Sequence, residues 1–348
     1  MSSDAVGNRA NGDGPPSKPH ALVNWPRPLA FVFSGGGAYG ATQVGMLRAL
    51  EEAGIRPDLI VGTSVGALNG VRYAVDPANS IGAMTDLWGS MSGSGVFGGS
   101  SKFRTVLTAL RHGVNRNAAG LCSPEPLRKL IGSSVDAERM EDLLIPTAAV
   151  ATDALVGQAK LLTQGPLGPI LEASAAIPGL FPPVKIDGCF YVDGGVSANV
   201  PVRQAIAFGA KSVVVLNANP ATMPGTLPHS VIGSVVHASM IMLRNQQANS
   251  VDHLVGRHPI LHLPQSTPAT QNSFQFDNSF KLIARGYQQT KEFLASLPNL
   301  TGTELPSAIV PHSKVDEPPA PVAPSPQMAP PEQGKGSTNL SPSTTADF

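Results

Sequence analysis

The chain has 348 residues, enough for one large domain or two ordinary ones, with a core that needs no covalent or metal staple. Lys and Arg number 24 and so do Asp and Glu, so the basic excess of a whole-protein nucleic-acid binder is missing. Two cysteines, Cys122 and Cys189, rule out a disulfide framework; without an apolar membrane span or a signal-peptide core, the expectation is a cytosolic globular protein.

The first 27 residues are rich in Gly, Pro, Asn and Ser and show no helix or strand period, and from Thr301 onward the chain is crowded with proline. Such segments bury too little apolar area to offset the entropy of ordering them. Three regions are therefore expected: a disordered segment over 1–27, a folded body over 28–300, and a Pro-rich disordered tail over 301–348. Within the body, Leu29–Phe33 is an apolar run of strand length that ends in Ser34-Gly35-Gly36-Gly37. Ala41–Ala53 follows with Val44, Leu47 and Leu50 at helical spacing, Arg48 and Glu52 four apart, and Gly54 as a stop. Pro57–Val61 reads as a second buried strand and Val65–Ala74 as a helix. Further on, Thr147–Ala151 reads as a strand, Ile170–Ala176 and Val202–Phe208 as helices, and Ser212–Leu216 as a strand. This alternation predicts an α/β fold whose mostly parallel central sheet is covered on both faces. Val184–Asp193 breaks the pattern, because Asp187-Gly188 between two short runs marks a hairpin turn. Ser230–Val255 and Ser279–Leu297 read as long amphipathic helices.

Two glycine motifs carry the chemistry. Gly35, Gly37 and Gly40 satisfy the dinucleotide fingerprint, but that reading needs an acid at the end of the second strand, and Asp58 opens the strand instead. The same loop has a second use. Consecutive glycines let backbone N–H groups converge on one point beside a helix N-terminus, as a developing oxyanion requires. A tight strand-to-helix turn is the bland alternative. Gly62-Thr63-Ser64-Val65-Gly66 is the only GxSxG in the chain. The string alone is weak evidence, but it follows a buried strand and opens a helix, which is where a nucleophile elbow belongs. There Gly62 and Gly66 are needed for the sharp reversal, Ser64 is pushed outward, and the Val65 N–H faces the same side. A helix N-cap is the competing role for the serine.

A serine hydroxyl needs a base within hydrogen-bond reach. His229, His237, His253, His258 and His262 follow in the chain, but none sits on a glycine turn at a strand end. Asp193-Gly194-Gly195 does, closing the run Phe190-Tyr191-Val192. Asp187 has the same glycine neighbour, but its hairpin tip explains it.

Together these residues resemble the patatin-like phospholipases: GGGAYG, GTSVG, the segment ASAAIPGLFPPV at Ala173–Val184, and DGG at Asp193 running on as VSANVP to Pro201. The resemblance runs from about Leu29 to Asn217. It implies a three-layer α/β/α sandwich that cleaves carboxylic esters of lipids with a Ser–Asp dyad, no catalytic histidine and no cofactor. By that resemblance Ser64 is the nucleophile, Asp193 the base, and Gly35, Gly36, Gly37 and Val65 the oxyanion hole, with Gly40, Gly62, Gly66, Gly194 and Gly195 supporting the turns. Tyr39 departs from the family, which usually carries Arg or Lys there, and so puts a preference for anionic headgroups in doubt. The dyad also requires Asp193 to be more basic than an ordinary carboxylate, which burial would supply.

Residues 97–116 combine Lys102, Arg104, Arg111 and Arg116 with Phe97, Phe103, Leu107 and Leu110 and contain no acid. This suits either a peripheral membrane contact or an apolar stripe packed on the body. The helix around Ser230–Val255 is expected to pack on the core or line an acyl groove. Two other functions share the motifs: acyl transfer through the same acyl-enzyme, and a catalytically silent lipid-binding protein.

Overall fold

The computed structural model describes residues 25–91, 96, 120, 122–223, 227, 231–251, 258–297 and 308–309. Among these, nine strands form one sheet. The parallel members are β1 (Leu29–Phe33), β2 (Leu59–Thr63), β3 (Thr147–Asp153), β7 (Ser212–Leu216), β8 (Ile260–His262) and β9 (Ala308–Ile309). Antiparallel to β3 run β4 (Ala159–Leu162) and β6 (Cys189–Asp193), and β5 (Val184–Ile186) pairs with β6. The order is β5-β6-β3-β2-β1-β7-β8-β9, with β4 on β3. The chain leaves β1 toward β2 on one side and returns to β7 on the other. That reversal puts the loops after β1 and β2 at the crevice where open α/β sheets bind ligands.

The strands are apolar on both faces because both are covered. Phe31, Phe33, Ile60, Ala149, Val214 and Leu216 point into one core, shared with α1 (Ala41–Glu52), α2 (Val65–Val75), α3 (Ser80–Ser90), α4 (Glu125–Ser134) and α5 (Leu167–Ser174). Ala30, Val32, Leu59, Val61, Ala148, Val150, Val213 and Val215 alternate with them into a second core, closed by α6 (Gly195–Ala198) and α7 (Val202–Ala207). The result is a three-layer α/β/α sandwich. Two long helices complete the described chain, α8 (Val231–Val251) and α9 (Ser279–Ser296), the latter packed along α1.

Several expected elements change extent. The second strand runs to Thr63 instead of Val61, so it delivers the chain directly to Ser64. The helix expected at Ile170–Ala176 is Leu167–Ser174, which frees Ala175 and Ala176 to turn back toward the sheet. Packed chain reaches ahead of the expected start at residue 28: Trp25 is buried, and the Pro26 carbonyl accepts the Ser212 hydroxyl at 2.6 Å. In the expected tail, Ala308–Ile309 pairs with β8. The hairpin turn stands as read, with Asp187 and Gly188 both at positive φ (47° and 84°), the backbone of a tight primed turn.

Candidate active site

Ser64 lies between the end of β2 and the start of α2, with φ 53° and ψ −127°. A non-glycine residue held there is strained, and such strain persists only where the surroundings enforce it. The flanking residues explain the enforcement. A Cβ on Gly62 would lie 2.5 Å from the Gly66 carbonyl oxygen and 2.6 Å from the Ala67 Cα; one on Gly66 would strike the Phe33 and Ser34 carbonyls. The bend therefore closes only with glycine at both positions, and α2 seats directly on the end of β1.

Asp193 closes β6 and is buried, at 6% exposure. Its carboxyl lies close enough to the Ser64 hydroxyl for that group to pull its pKa down, and the Gly195 N–H donates to Oδ1 at 2.7 Å. Burial pushes the Asp193 carboxyl up to about 6, against the downward pull of those two hydrogen bonds. The loss of water outweighs the donors, so the group is a better base than a solvated aspartate yet still mostly ionised at neutral pH. Its backbone is fixed from both sides. The Asp193 N–H donates to the Ala176 carbonyl at 2.9 Å, and the Asp193 carbonyl accepts the Thr152 hydroxyl at 2.9 Å.

The glycine loop after β1 forms the opposite wall. A Cβ built on Gly35 would lie 3.4 Å from Ser64 Cβ, so loop and serine are immediate neighbours. Of the four expected oxyanion donors, Gly35 is corrected: its N–H is spent on the Asn199 carbonyl at 3.0 Å. Among the described residues the N–H groups of Gly36, Gly37 and Val65 donate to no carbonyl of another loop or strand, and they stand at the start of a 3-10 turn and of α2. The loop is clasped from outside. Asn219 Nδ2 donates to the Gly35 carbonyl at 3.0 Å, and the Ala38 N–H donates to the Ser273 carbonyl at 2.7 Å. Behind it, Gln43 Nε2 donates to the Ser34 and Leu216 carbonyls, and Asn69 joins Gln43 to Trp88.

Tyr39 is anchored by the fold. It is buried, its hydroxyl donates to the Gln271 carbonyl at 2.9 Å, and burial raises its pKa. Asp58 sits at the start of β2, accepting the Leu29 N–H and pairing with Arg27, at the opposite end of the strands from the glycine loop. The histidines at 229 and 253 lie outside the described residues, as does the basic apolar segment 97–116. His258 faces the Lys211 carbonyl at 3.3 Å, and His262 ends β8, which β1 and β7 separate from β2. Within α8, Ile241 and Met242 are exposed rather than packed, whereas Leu243 approaches Gly195 and Gln246 donates to the Val196 carbonyl at 2.6 Å. Among the described residues no helix is long and apolar enough to cross a membrane.

Sequence reasoning assigned no role to Ser174, Asn199 or Asn219, although the first two lie within the quoted segments. Each acts through a bond to a residue far away in the chain, and no local pattern announces such a bond.

The sequence model of the family described as "Patatin-like phospholipase" matches residues 31–206. Patatin-like phospholipase domain-containing protein 7 of Mus musculus is 32% identical over 191 residues, 54% of this chain and 13% of that protein. Lysophospholipase NTE1 of Mycosarcoma maydis is 29% identical over 191 residues, 54% of this chain and 10% of its own length. The aligned part is thus about an eighth of these relatives or less. Among solved structures, VipD from Legionella pneumophila is similar over 78% of this chain and 67% of its own, at 17% identity and a TM-score of 0.43.

Proposed function

The chain belongs to the patatin-like phospholipase family, and on that premise we propose that it is a serine acyl hydrolase that cleaves carboxylic esters of phospholipids or lysophospholipids. The observation that carries this reading is the strained Ser64 facing a buried Asp193 carboxyl, with uncommitted backbone N–H groups beside it. Asp193 takes the Ser64 hydroxyl proton as Oγ attacks the ester carbonyl. The oxyanion that forms accepts the N–H groups of Gly36, Gly37 and Val65, a stabilisation of about 3 kcal/mol per donor. As the tetrahedral species collapses, the leaving alcohol carries away the proton from Asp193, and the acyl group stays on Ser64. Water then gives a proton to Asp193 while its oxygen attacks the acyl carbonyl. The fatty acid leaves as Ser64 takes the proton back.

A raised Asp193 suits both directions of transfer, because a base close to the working pH can receive a proton and return it. The name of the Mycosarcoma relative, a lysophospholipase, makes lysophospholipid the first substrate to assay. The deciding test is intact-mass detection of a fluorophosphonate adduct. Addition to the wild type of one probe mass less the hydrogen fluoride expelled, mapped to Ser64 and absent from Ser64→Ala, is expected. A wild type that stays unlabelled while folded overturns the reading.

A further inference from the structure

Ser174 ends α5, is fully buried, and touches both halves of the site. Its hydroxyl accepts the Ser64 N–H at 2.9 Å and donates to the Val150 carbonyl of β3 at 2.7 Å. Its own carbonyl accepts the Gly194 N–H at 3.3 Å, and two residues on the Ala176 carbonyl accepts the Asp193 N–H. The end of one helix thus grips the backbone of Ser64 and of Asp193 at once.

A hydroxyl has a single proton to give. That of Ser174 is committed to Val150, so a lone pair is left for the Ser64 N–H and the direction of the chain of bonds is fixed. The N–H it receives belongs to the residue at φ 53°, where the backbone would relax toward an ordinary conformation if released.

We propose that Ser174 is a positioning residue: its hydroxyl locks the strained Ser64 backbone so that the nucleophile stays aimed at Asp193 and at the oxyanion donors. It touches no substrate and acts only through Ser64. The proposal rests on the reading of Ser64 and Asp193 as a dyad. A displacement of the nucleophile by an ångström can cost about 100-fold in rate, and Ser174→Ala leaves the burial of Asp193 and its bond from Gly195 in place. Folded Ser174→Ala should therefore label with fluorophosphonate at Ser64 about 100-fold more slowly and lose kcat on a soluble p-nitrophenyl ester with little change in KM. The midpoint of its pH profile should stay where the wild type has it.

A merely structural role would not produce that split. Ser212→Ala supplies the comparison, since Ser212 is equally buried and donates to the Pro26 carbonyl at the far end of the strands; it should lose stability but label at the wild-type rate. Ser174→Thr, which restores a hydroxyl, should recover most of the labelling rate. If alanine prevents folding, Ser174→Cys carries the test, because its thiol fills the site with a slightly larger atom and weakens both bonds; slower labelling per folded molecule is expected. Wild-type labelling rates in Ser174→Ala or Ser174→Cys, or a threonine variant as slow as alanine, would overturn the proposal. A wild type that fails to label at Ser64 would instead overturn the dyad beneath it.

Discussion

Ser64 and Asp193 meet across a single strand. Thr63, immediately before the serine, pairs with Val150 of β3, and Asp193 pairs with the next residue, Ala151, on the other side. Two strand spacings separate their backbones by roughly 10 Å, and the elbow closes that gap by driving Ser64 out of the strand direction. A slip of one residue between β3 and β6 would turn Asp193 to the wrong face.

Asp193→Asn tests the base directly. The amide keeps the shape but cannot take the serine proton, so ester turnover should fall by about 10² to 10⁴. Steady-state kinetics on a soluble ester, with thermal denaturation to verify folding, would measure it. A variant that keeps wild-type turnover would place the base elsewhere.

The pH profile should carry the same signature. As the proposed base, Asp193 acts only when ionised, so kcat/KM should rise with pH through a midpoint near 6, the value to which burial raises the group. A rate that is flat between pH 5 and 8 would count against Asp193 as the titrating base.

Stability should move the other way. The folded-state pKa, about 6, lies above the ordinary 3.8, so the folded protein holds this proton more tightly than the unfolded chain. The stability gained is full below about pH 4 and is lost as pH rises through 6, a difference of ~3 kcal/mol. Asp193→Asn lacks the buried charge and should melt higher than the wild type at pH 8 while being far less active. Scanning calorimetry at pH 5 and pH 8 measures both shifts.

Gly66→Ala should break the elbow. The added methyl would lie 2.6 Å from the Phe33 carbonyl oxygen and closer still to that of Ser34. Separating α2 from β1 should cost about 3 kcal/mol, roughly 6 °C in melting temperature for a body of this size, and remove fluorophosphonate labelling. An alanine variant of native stability would show that the bend tolerates a side chain.

Tyr39→Phe should be mild. It removes one hydrogen bond to the Gln271 carbonyl and should cost about 1 kcal/mol, with turnover within about twofold of wild type. A change in preference between phosphatidylglycerol and phosphatidylcholine would mean that the phenol reaches the headgroup after all.

The sequence made the centre of the fold legible and blurred its margins. β1, α1, β2 and α2 could be read because each is a buried run punctuated by glycine, and the hairpin because only a tight turn accommodates Asp187-Gly188 there. β4 and β8 passed unread, the one a half-buried strand of four residues and the other of only three, too short to show a period. Ser64 and Asp193 stood out through their glycines, which local sterics demand. Gly35 looked equal to its two neighbours, and only the folded chain shows its N–H already taken by Asn199. What Tyr39 does in place of the usual basic residue was hidden for a similar reason, since the carbonyl that takes its hydroxyl belongs to a loop more than two hundred residues later.

That distant clasp bears on where the protein can be cut. The matched family segment stops at residue 206, yet Asn219 and Ser273, which hold the glycine loop, both come later. A truncation at the family boundary would keep every motif and discard the clamps that shape them. Expression trials should therefore retain the chain through Ile309, the last residue of the sheet, and a shorter product that proves inert would say nothing about the chemistry of Ser64.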